Sequence, residues 1–159
     1  YPLPMRQPLR VVLDTHLKTP PHARCLSAEG ERLLVHGSAD SGKLQALESH
    51  ERVSLLELPG PSASGIDLTA LMSNLAARGV NRLLVESGPK LAGAFVQAGL
   101  VDELVLYIAP KLMGDEAMPL LNLVGMQAMS QAIEWQFQDV RQVGSDLRLI
   151  LTPILESGA

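Results

Sequence analysis

Three short apolar runs, at residues 9–14, 32–36 and 53–58, alternate with polar stretches in the first part of the chain. Their length and their Val and Leu content predict β-strands. The run 9–14 ends in polar residues, which predicts a buried strand with Thr15 at its carboxyl end. The prolines in front of it predict a connector over residues 1–8.

A helix is predicted after these three strands. Apolar residues recur at helical spacing from Leu68 to Leu75, directly after Asp67, which is a residue type that caps helices. Gly79 provides a stop signal. This segment is the clearest helix in the sequence.

A strand, a turn and a helix are predicted next. Residues 81–86 predict a strand, residues 87–90 a turn, and residues 91–98 a helix that Gly99 ends. This order, strand then tight turn then helix, is typical of the ligand-binding edge of α/β sheets.

The last part of the chain predicts further strands. Residues 103–109 are almost continuously apolar and end at Pro110, which indicates a central strand buried on both faces. Residues 133–143 alternate in part, residues 143–146 predict a turn, and residues 147–151 return as a strand, which together predict an antiparallel hairpin. The sheet is therefore expected to be mixed.

Length and composition favour one compact α/β domain. The chain has 159 residues, of which 47% are hydrophobic, enough for a core of its own. We therefore expect a single domain over residues 9–153, with a tail over residues 154–159. The chain begins with Tyr1 instead of Met, which suggests that it starts inside a longer coding sequence.

Charge and cysteine content exclude several classes of protein. The formal net charge is −4 and the sequence contains no basic stripe, so nucleic acid is not an expected partner. The longest apolar runs are strand-sized, which excludes a membrane helix. Cys25 is the single cysteine, and a reducing cytoplasm fits. The four histidines show no metal-ligand spacing, so we assign no metal.

The turn after residues 81–86 has the composition of a phosphate-binding site. First-turn helix amides lack intrahelical partners and attract anions. Gly88 permits close approach of a ligand, Pro89 suits a first helical position, and Gly93 leaves no bulk on the early helix. Glu86 adds a carboxylate at the strand end. The alternative is an ordinary strand-turn-helix whose glycines serve only packing.

A second phosphate candidate, residues 37–43 (GSADSGK), matches the beginning of a P-loop. Leu44 occupies the position of the magnesium-binding hydroxyl, and Asp40 places an acid inside the loop. We therefore interpret residues 37–43 as a flexible surface loop without nucleotide hydrolysis.

Three blocks carry a resemblance to a known family: residues 7–14 (QPLRVVLD), 85–94 (VESGPKLAGA) and 99–114 (GLVDELVLYIAPKLMG). In this order they resemble the reductase domain of the RibD family of riboflavin-biosynthesis deaminase/reductases. The resemblance implies a dihydrofolate-reductase-like, three-layer α/β domain with a mixed, mainly parallel central sheet and a C-terminal antiparallel hairpin. It also implies NADPH-dependent reduction of 5-amino-6-(5-phosphoribosylamino)uracil to its ribitylamino counterpart.

The same resemblance implies the site residues. Glu86 falls on a substrate-contacting position, and no residue is assigned as catalytic. The family's cofactor contacts fall on Thr15, Gly88, Pro89, Lys90, Leu91, Ala92, Gly93 and Ala94. Arg10, Lys18 and Lys90 are the candidates for contact with the 2′-phosphate of NADPH.

The resemblance has departures that leave alternatives open. The histidine-glutamate and Cys-x-x-Cys motifs of the family's zinc-dependent deaminase domain do not occur here, so zinc belongs to a domain outside this chain. The first part of the family's reductase domain is expected before Tyr1. One alternative is a truncated, inert fragment that only dimerises or binds nucleotide weakly, and another is a pteridine or folate reductase on the same fold. The resemblance implies a homodimer, and the single cysteine favours a cytoplasmic location.

Overall fold

The structure is a computed structural model that describes residues 7–61 and 65–154. The chain divides into two compact units, Tyr1–Asn81 and Arg82–Ala159. The predicted connector, up to residue 6, and the predicted tail, from residue 155, lie outside the described residues.

The first unit contains a parallel sheet. Its strands are β1 (Arg10–Leu13), β2 (Arg32–His36) and β3 (Val53–Glu57), in the order β1-β2-β3. All five residues of β2 are buried, as expected for the central strand of a parallel sheet. All three strand predictions are confirmed.

The first unit also contains three helices. They are α1 (Arg24–Ser27), α2 (Ser41–Glu48) and α3 (Leu68–Ala77). A core cluster of Leu17, Leu26, Leu34 and Leu47 joins β2 to α1, to α2 and to the loop after β1. The predicted cap of α3 is confirmed, because the Ala70 amide donates to the Asp67 carboxylate at 2.8 Å.

The second unit contains helix α4 (Pro89–Gln97) and an antiparallel sheet. The strands are β4 (Leu104–Ile108), β5 (Trp135–Val143) and β6 (Asp146–Pro153), in the order β4-β6-β5. The predicted β5–β6 hairpin is confirmed. Helix α4 begins earlier than predicted because Pro89, whose ring fixes a helical φ, occupies its first turn.

Three predictions about strands need correction. Residues 81–86 form no strand, and Leu84 is 78% exposed, because no described strand supplies the hydrogen-bonded neighbour that an apolar run needs. Strand β4 lies at a sheet edge, with Tyr107 62% exposed, so a central position buried on both faces is wrong. The described strands form two sheets, one parallel and one antiparallel, where one mixed sheet was expected.

Candidate functional site

Thr15 lies two residues after the end of β1, at the carboxyl edge of the parallel sheet. Its carbonyl oxygen accepts a hydrogen bond of 3.0 Å from the Gly37 amide, just after β2. The ends of two neighbouring strands are therefore joined at Thr15. This edge is where open α/β sheets bind ligands.

The loop after Thr15 is organised by Asp14. Its carboxylate accepts hydrogen bonds from the Lys18 amide at 2.9 Å and from the Thr19 amide and hydroxyl, both at 2.6 Å. Partial burial opposes ionisation, but these hydrogen bonds outweigh it and lower the pKa of Asp14. The ionised carboxylate thus fixes the loop at neutral pH.

Leu17 is the anchor of this loop. Its side chain is 2% exposed and belongs to the core cluster, while its backbone has a φ of 45°. Left-handed backbone is unfavourable for a branched residue. Burial of the leucine side chain compensates for the conformation, and the next residue, Lys18, is exposed.

Residues 37–43 do not form a surface loop throughout, so that interpretation is wrong. Ser41, Gly42 and Lys43 form the first turn of α2. The Asp40 carboxylate caps the helix by accepting from the Gly42 amide at 2.8 Å. The acid that argued against a P-loop is a helix cap, a role that Asp favours.

A cavity of about 460 Å³ lies between the loop after β1 and the start of α2. Its lining residues are Leu17, Lys18, Thr19, Pro20, Pro21, Asp40, Gly42, Lys43, Ala46 and Leu47. The Lys43 ammonium donates to the His16 carbonyl at 3.3 Å. The sequence analysis considered Lys43 only as the last residue of the rejected phosphate candidate, although the capping sequence Asp-Ser-Gly-Lys could have indicated its place on a helix.

In the second unit, the turn at Gly88 leads into α4 without a side-chain cap. Helices α2 and α3 differ in this respect, because Asp40 and Asp67 satisfy amides of their first turns. The first-turn amides of α4, which carry the positive end of the helix dipole, are left for another acceptor.

The two glycines of this turn have different surroundings. A Cβ at Gly88 would meet no atom within 4 Å, and its φ of −74° suits any residue. A Cβ at Gly93 would lie 2.9 Å from the carbonyl carbon of Asn122 and closer still to its oxygen. Packing therefore explains Gly93, and it leaves Gly88 unexplained.

The remaining predicted contacts are distributed over both units. Glu86 and Lys90 are exposed on either side of Gly88. Leu91, Ala92 and Ala94 lie on the first turns of α4 and are partly buried. Thr15 belongs to the first unit, whereas Glu86 and residues 88–94 belong to the second.

Other candidate chemistry is sparse. Within residues 7–61 and 65–154, no three His, Cys, Asp or Glu side chains are grouped so as to hold a metal ion. Cys25 is exposed and not in a disulfide, and His36 is buried. In the same part of the chain, no helix has both the length and the apolar character needed to cross a membrane.

Comparison with known proteins gives the family. The profile of the RibD C-terminal domain matches residues 2–149. The riboflavin biosynthesis protein RibD of Escherichia coli is 40% identical over 147 residues, which cover 92% of this chain and 38% of that protein. The 5-amino-6-(5-phosphoribosylamino)uracil reductase of Buchnera aphidicola is 27% identical over 148 residues, covering 93% of this chain and 69% of that protein.

A solved structure supports the same family. Acinetobacter baumannii RibD superposes with a TM-score of 0.73 at 28% identity, over 91% of this chain and 37% of that one. The chain belongs to the RibD C-terminal domain family. The α/β fold class, dihydrofolate-reductase-like, is thereby confirmed. The chain spans 38% of the length of the E. coli RibD that it matches.

Proposed function

We propose that this chain is a reductase domain of riboflavin biosynthesis. It would reduce 5-amino-6-(5-phosphoribosylamino)uracil to 5-amino-6-(5-phosphoribitylamino)uracil with NADPH. The observation that carries the proposal is the family match over residues 2–149, and a relative that is named as this uracil reductase supports the substrate.

The turn at Gly88 fits a nicotinamide dinucleotide. The first-turn amides of α4 have no side-chain acceptor at the N-cap, and a pyrophosphate supplies the negative oxygens that such amides bind. The space around Gly88 lets a ligand approach the backbone closely. NADPH supplies hydride, and the protein positions the substrate and controls charge around it. Thr15 is the proposed cofactor contact in the first unit.

Glu86 is the proposed substrate contact. The ribosylamine reacts as its ring-opened imine, so that hydride adds to the sugar carbon and a proton to the nitrogen. The Glu86 carboxylate is exposed. It would accept a hydrogen bond from the substrate and favour the positively charged iminium electrostatically. No covalent nucleophile is needed.

The finer expectations on assembly and location are part of the proposal. Strands β4, β5 and β6 expose Val105, Tyr107, Phe137, Val140 and Leu147. Apolar surface of this kind favours association, and we propose a homodimer. The single cysteine fits a cytoplasmic enzyme.

The test measures turnover of 5-amino-6-(5-phosphoribosylamino)uracil by the wild-type protein and by the Glu86→Gln variant. Turnover is monitored as the oxidation of NADPH. We expect Glu86→Gln to lower kcat/KM by about 10-fold or more while NADPH affinity is retained, because one charge-assisted contact is lost. Glu103→Gln, which changes another exposed carboxylate of the second unit, is the matched control. Unchanged turnover in Glu86→Gln would remove the substrate role, and absence of wild-type turnover would remove the proposed activity.

A further inference from the structure

Residues 122–124 lie along helix α4 and are called the α4 strap below. At the start of the helix, the Asn122 amide donates to the Pro89 carbonyl at 3.0 Å. At the end of the helix, the Gln97 side chain donates to the Val124 carbonyl at 2.7 Å and accepts from the Val124 amide at 3.4 Å. The strap is therefore attached to both ends of α4.

The contacts with the strap fall on one face of α4. Pro89, Gly93 and Gln97 are spaced by four residues, and residues at this spacing lie one above the other on a helix. Gly93 is buried, and a Cβ placed on it would lie 2.9 Å from the carbonyl carbon of Asn122. The missing side chain at Gly93 thus lets the backbone of the strap lie directly on the helix.

The turn at Gly88 depends on α4 for its position. Residues 82–88 form no strand, and the hydrogen bonds found for them within the described part of the chain join groups no more than four residues apart. The nearest hydrogen bond to a distant part of the chain joins the Asn122 amide to the carbonyl of Pro89, the residue after Gly88. The strap therefore fixes the helix turn that follows Gly88.

The strap in turn depends on α4. Residues 111–126 belong to no helix or strand, and their long-range hydrogen bonds within the described residues are those to Pro89 and Gln97. Val124 is 73% exposed, so apolar burial does not hold that end of the strap. Gln97 is the side chain that holds it.

We propose that Gln97 is a positioning residue for the cofactor. It holds the strap on α4, and the strap holds the Gly88 turn in the conformation that binds the pyrophosphate of NADPH. Gln97 lies about 12 Å along the helix from Pro89, so it acts through the strap and not by contact with the pyrophosphate. The inference rests on the proposed function for the cofactor and for its place at Gly88.

The experiment compares the wild type with Gln97→Met, which keeps the side-chain length and a similar helix propensity but removes both hydrogen bonds to the strap. Calorimetric titration should give a dissociation constant for NADP⁺ that is about 3- to 10-fold higher in Gln97→Met. In the turnover assay, KM for NADPH should rise by about the same factor, while kcat at saturating NADPH changes by less than about 2-fold.

The matched control is Gln142→Met. The Gln142 side chain also donates to a backbone carbonyl, that of Gly144 at 3.1 Å, but it does so in the β5–β6 turn. This variant should bind NADP⁺ as the wild type does. An equal loss of affinity in Gln142→Met would overturn the inference, because the effect would then not depend on the strap.

Amide hydrogen exchange tests the strap directly. Exchange of the Asn122 amide, followed by NMR, reports how often the strap opens. Coupling between two equilibria is reciprocal, so saturating NADP⁺ should slow this exchange about 3- to 10-fold in the wild type. A glutamine that only stabilised the fold would leave the exchange rate independent of NADP⁺.

The outcomes separate this inference from the proposed function. Wild-type affinity for NADP⁺ in Gln97→Met, or Asn122 exchange that NADP⁺ does not slow, would overturn the inference and leave the reductase function standing. A wild type that binds no NADP⁺ would overturn both. NADP⁺ binding that depends on Gln97, in a protein without turnover of the uracil substrate, would support the strap and refute the proposed reaction.

Discussion

The backbone of Asn122 lies directly against Gly93, on the buried side of α4. The Asn122 amide donates to the Pro89 carbonyl at 3.0 Å, and a Cβ on Gly93 would collide with the Asn122 carbonyl. One turn further along, the Gln97 side chain donates to the Val124 carbonyl at 2.7 Å. The segment around Asn122 is thus held along α4, and α4 carries the proposed cofactor turn.

The Gly93→Ala variant tests whether helix propensity or packing against Asn122 has the larger effect on the free energy of unfolding. Within a helix, Ala is favoured over Gly by about 1 kcal/mol, so propensity alone predicts stabilisation. The collision with Asn122 predicts the opposite, and overpacking of this kind costs about 1–3 kcal/mol. We expect net destabilisation, measured as a lower urea midpoint. A more stable variant would show that Asn122 moves away at little cost.

Gly88→Ala tests whether the first glycine serves a ligand. Its extended backbone and empty surroundings tolerate Ala, and the free energy of unfolding should change by less than about 1 kcal/mol. NADPH affinity should fall about 10-fold or more, because the methyl group obstructs approach to the first-turn amides of α4. Titration beside a denaturation curve checks both. Unchanged affinity would place the cofactor elsewhere.

Asp40→Asn changes charge at the cavity while retaining the cap of α2, because Asn and Asp are similar N-cap residues. Lys18 is a candidate contact for the 2′-phosphate of NADPH and lines the same cavity as Asp40. Removal of the negative charge should therefore tighten NADPH binding by about 2- to 5-fold, and the gain should shrink at high salt. Calorimetry at low and high ionic strength measures the effect. Equal or weaker binding at low salt would argue against a phosphate near Asp40.

We expect the stability of the β5–β6 hairpin to depend on the ionised Asp139 carboxylate and to fall in acid. Hydrogen bonds from Arg141 first, and then from Arg148, lower the pKa of Asp139 from 3.8 to about 2. A lowered folded-state pKa stabilises the fold fully above the unfolded value of 3.8, and this contribution disappears as the pH falls from 3.8 toward about 2.

Asp139→Asn should therefore be less stable than wild type near neutral pH and lose less stability on acidification. Urea denaturation at about pH 6 and about pH 3 measures this difference. Asp146→Asn is the control, since no described arginine or lysine lies within salt-bridge distance of Asp146. Parallel acid curves for wild type and Asp139→Asn would contradict the prediction.

Local patterns predicted the elements whose environment is short-range. The strands β1, β2 and β3, the Asp67 cap and the β5–β6 hairpin depend on apolar runs, capping residues and turns, which are visible in sequence. Residues 81–86 were wrongly predicted to form a strand, whereas β4 was correctly predicted as a strand and wrongly given a central position. An apolar pattern does not show which strand lies beside it. Pairing partners are decided by tertiary contacts.

The same distinction between local patterns and tertiary contacts applies to the candidate site. The sequence by itself determined the family resemblance, the turn at Gly88 and the position of Thr15 after β1, since motif spacing and strand ends are properties of neighbouring residues. Only the tertiary structure decided that Asp40 caps a helix and that Lys18 and Lys43, from separate elements, line one cavity. It also decided that Gly93 packs on Asn122 and Gly88 does not. Contacts between residues distant in sequence depend on how the elements pack, and no local pattern records that packing.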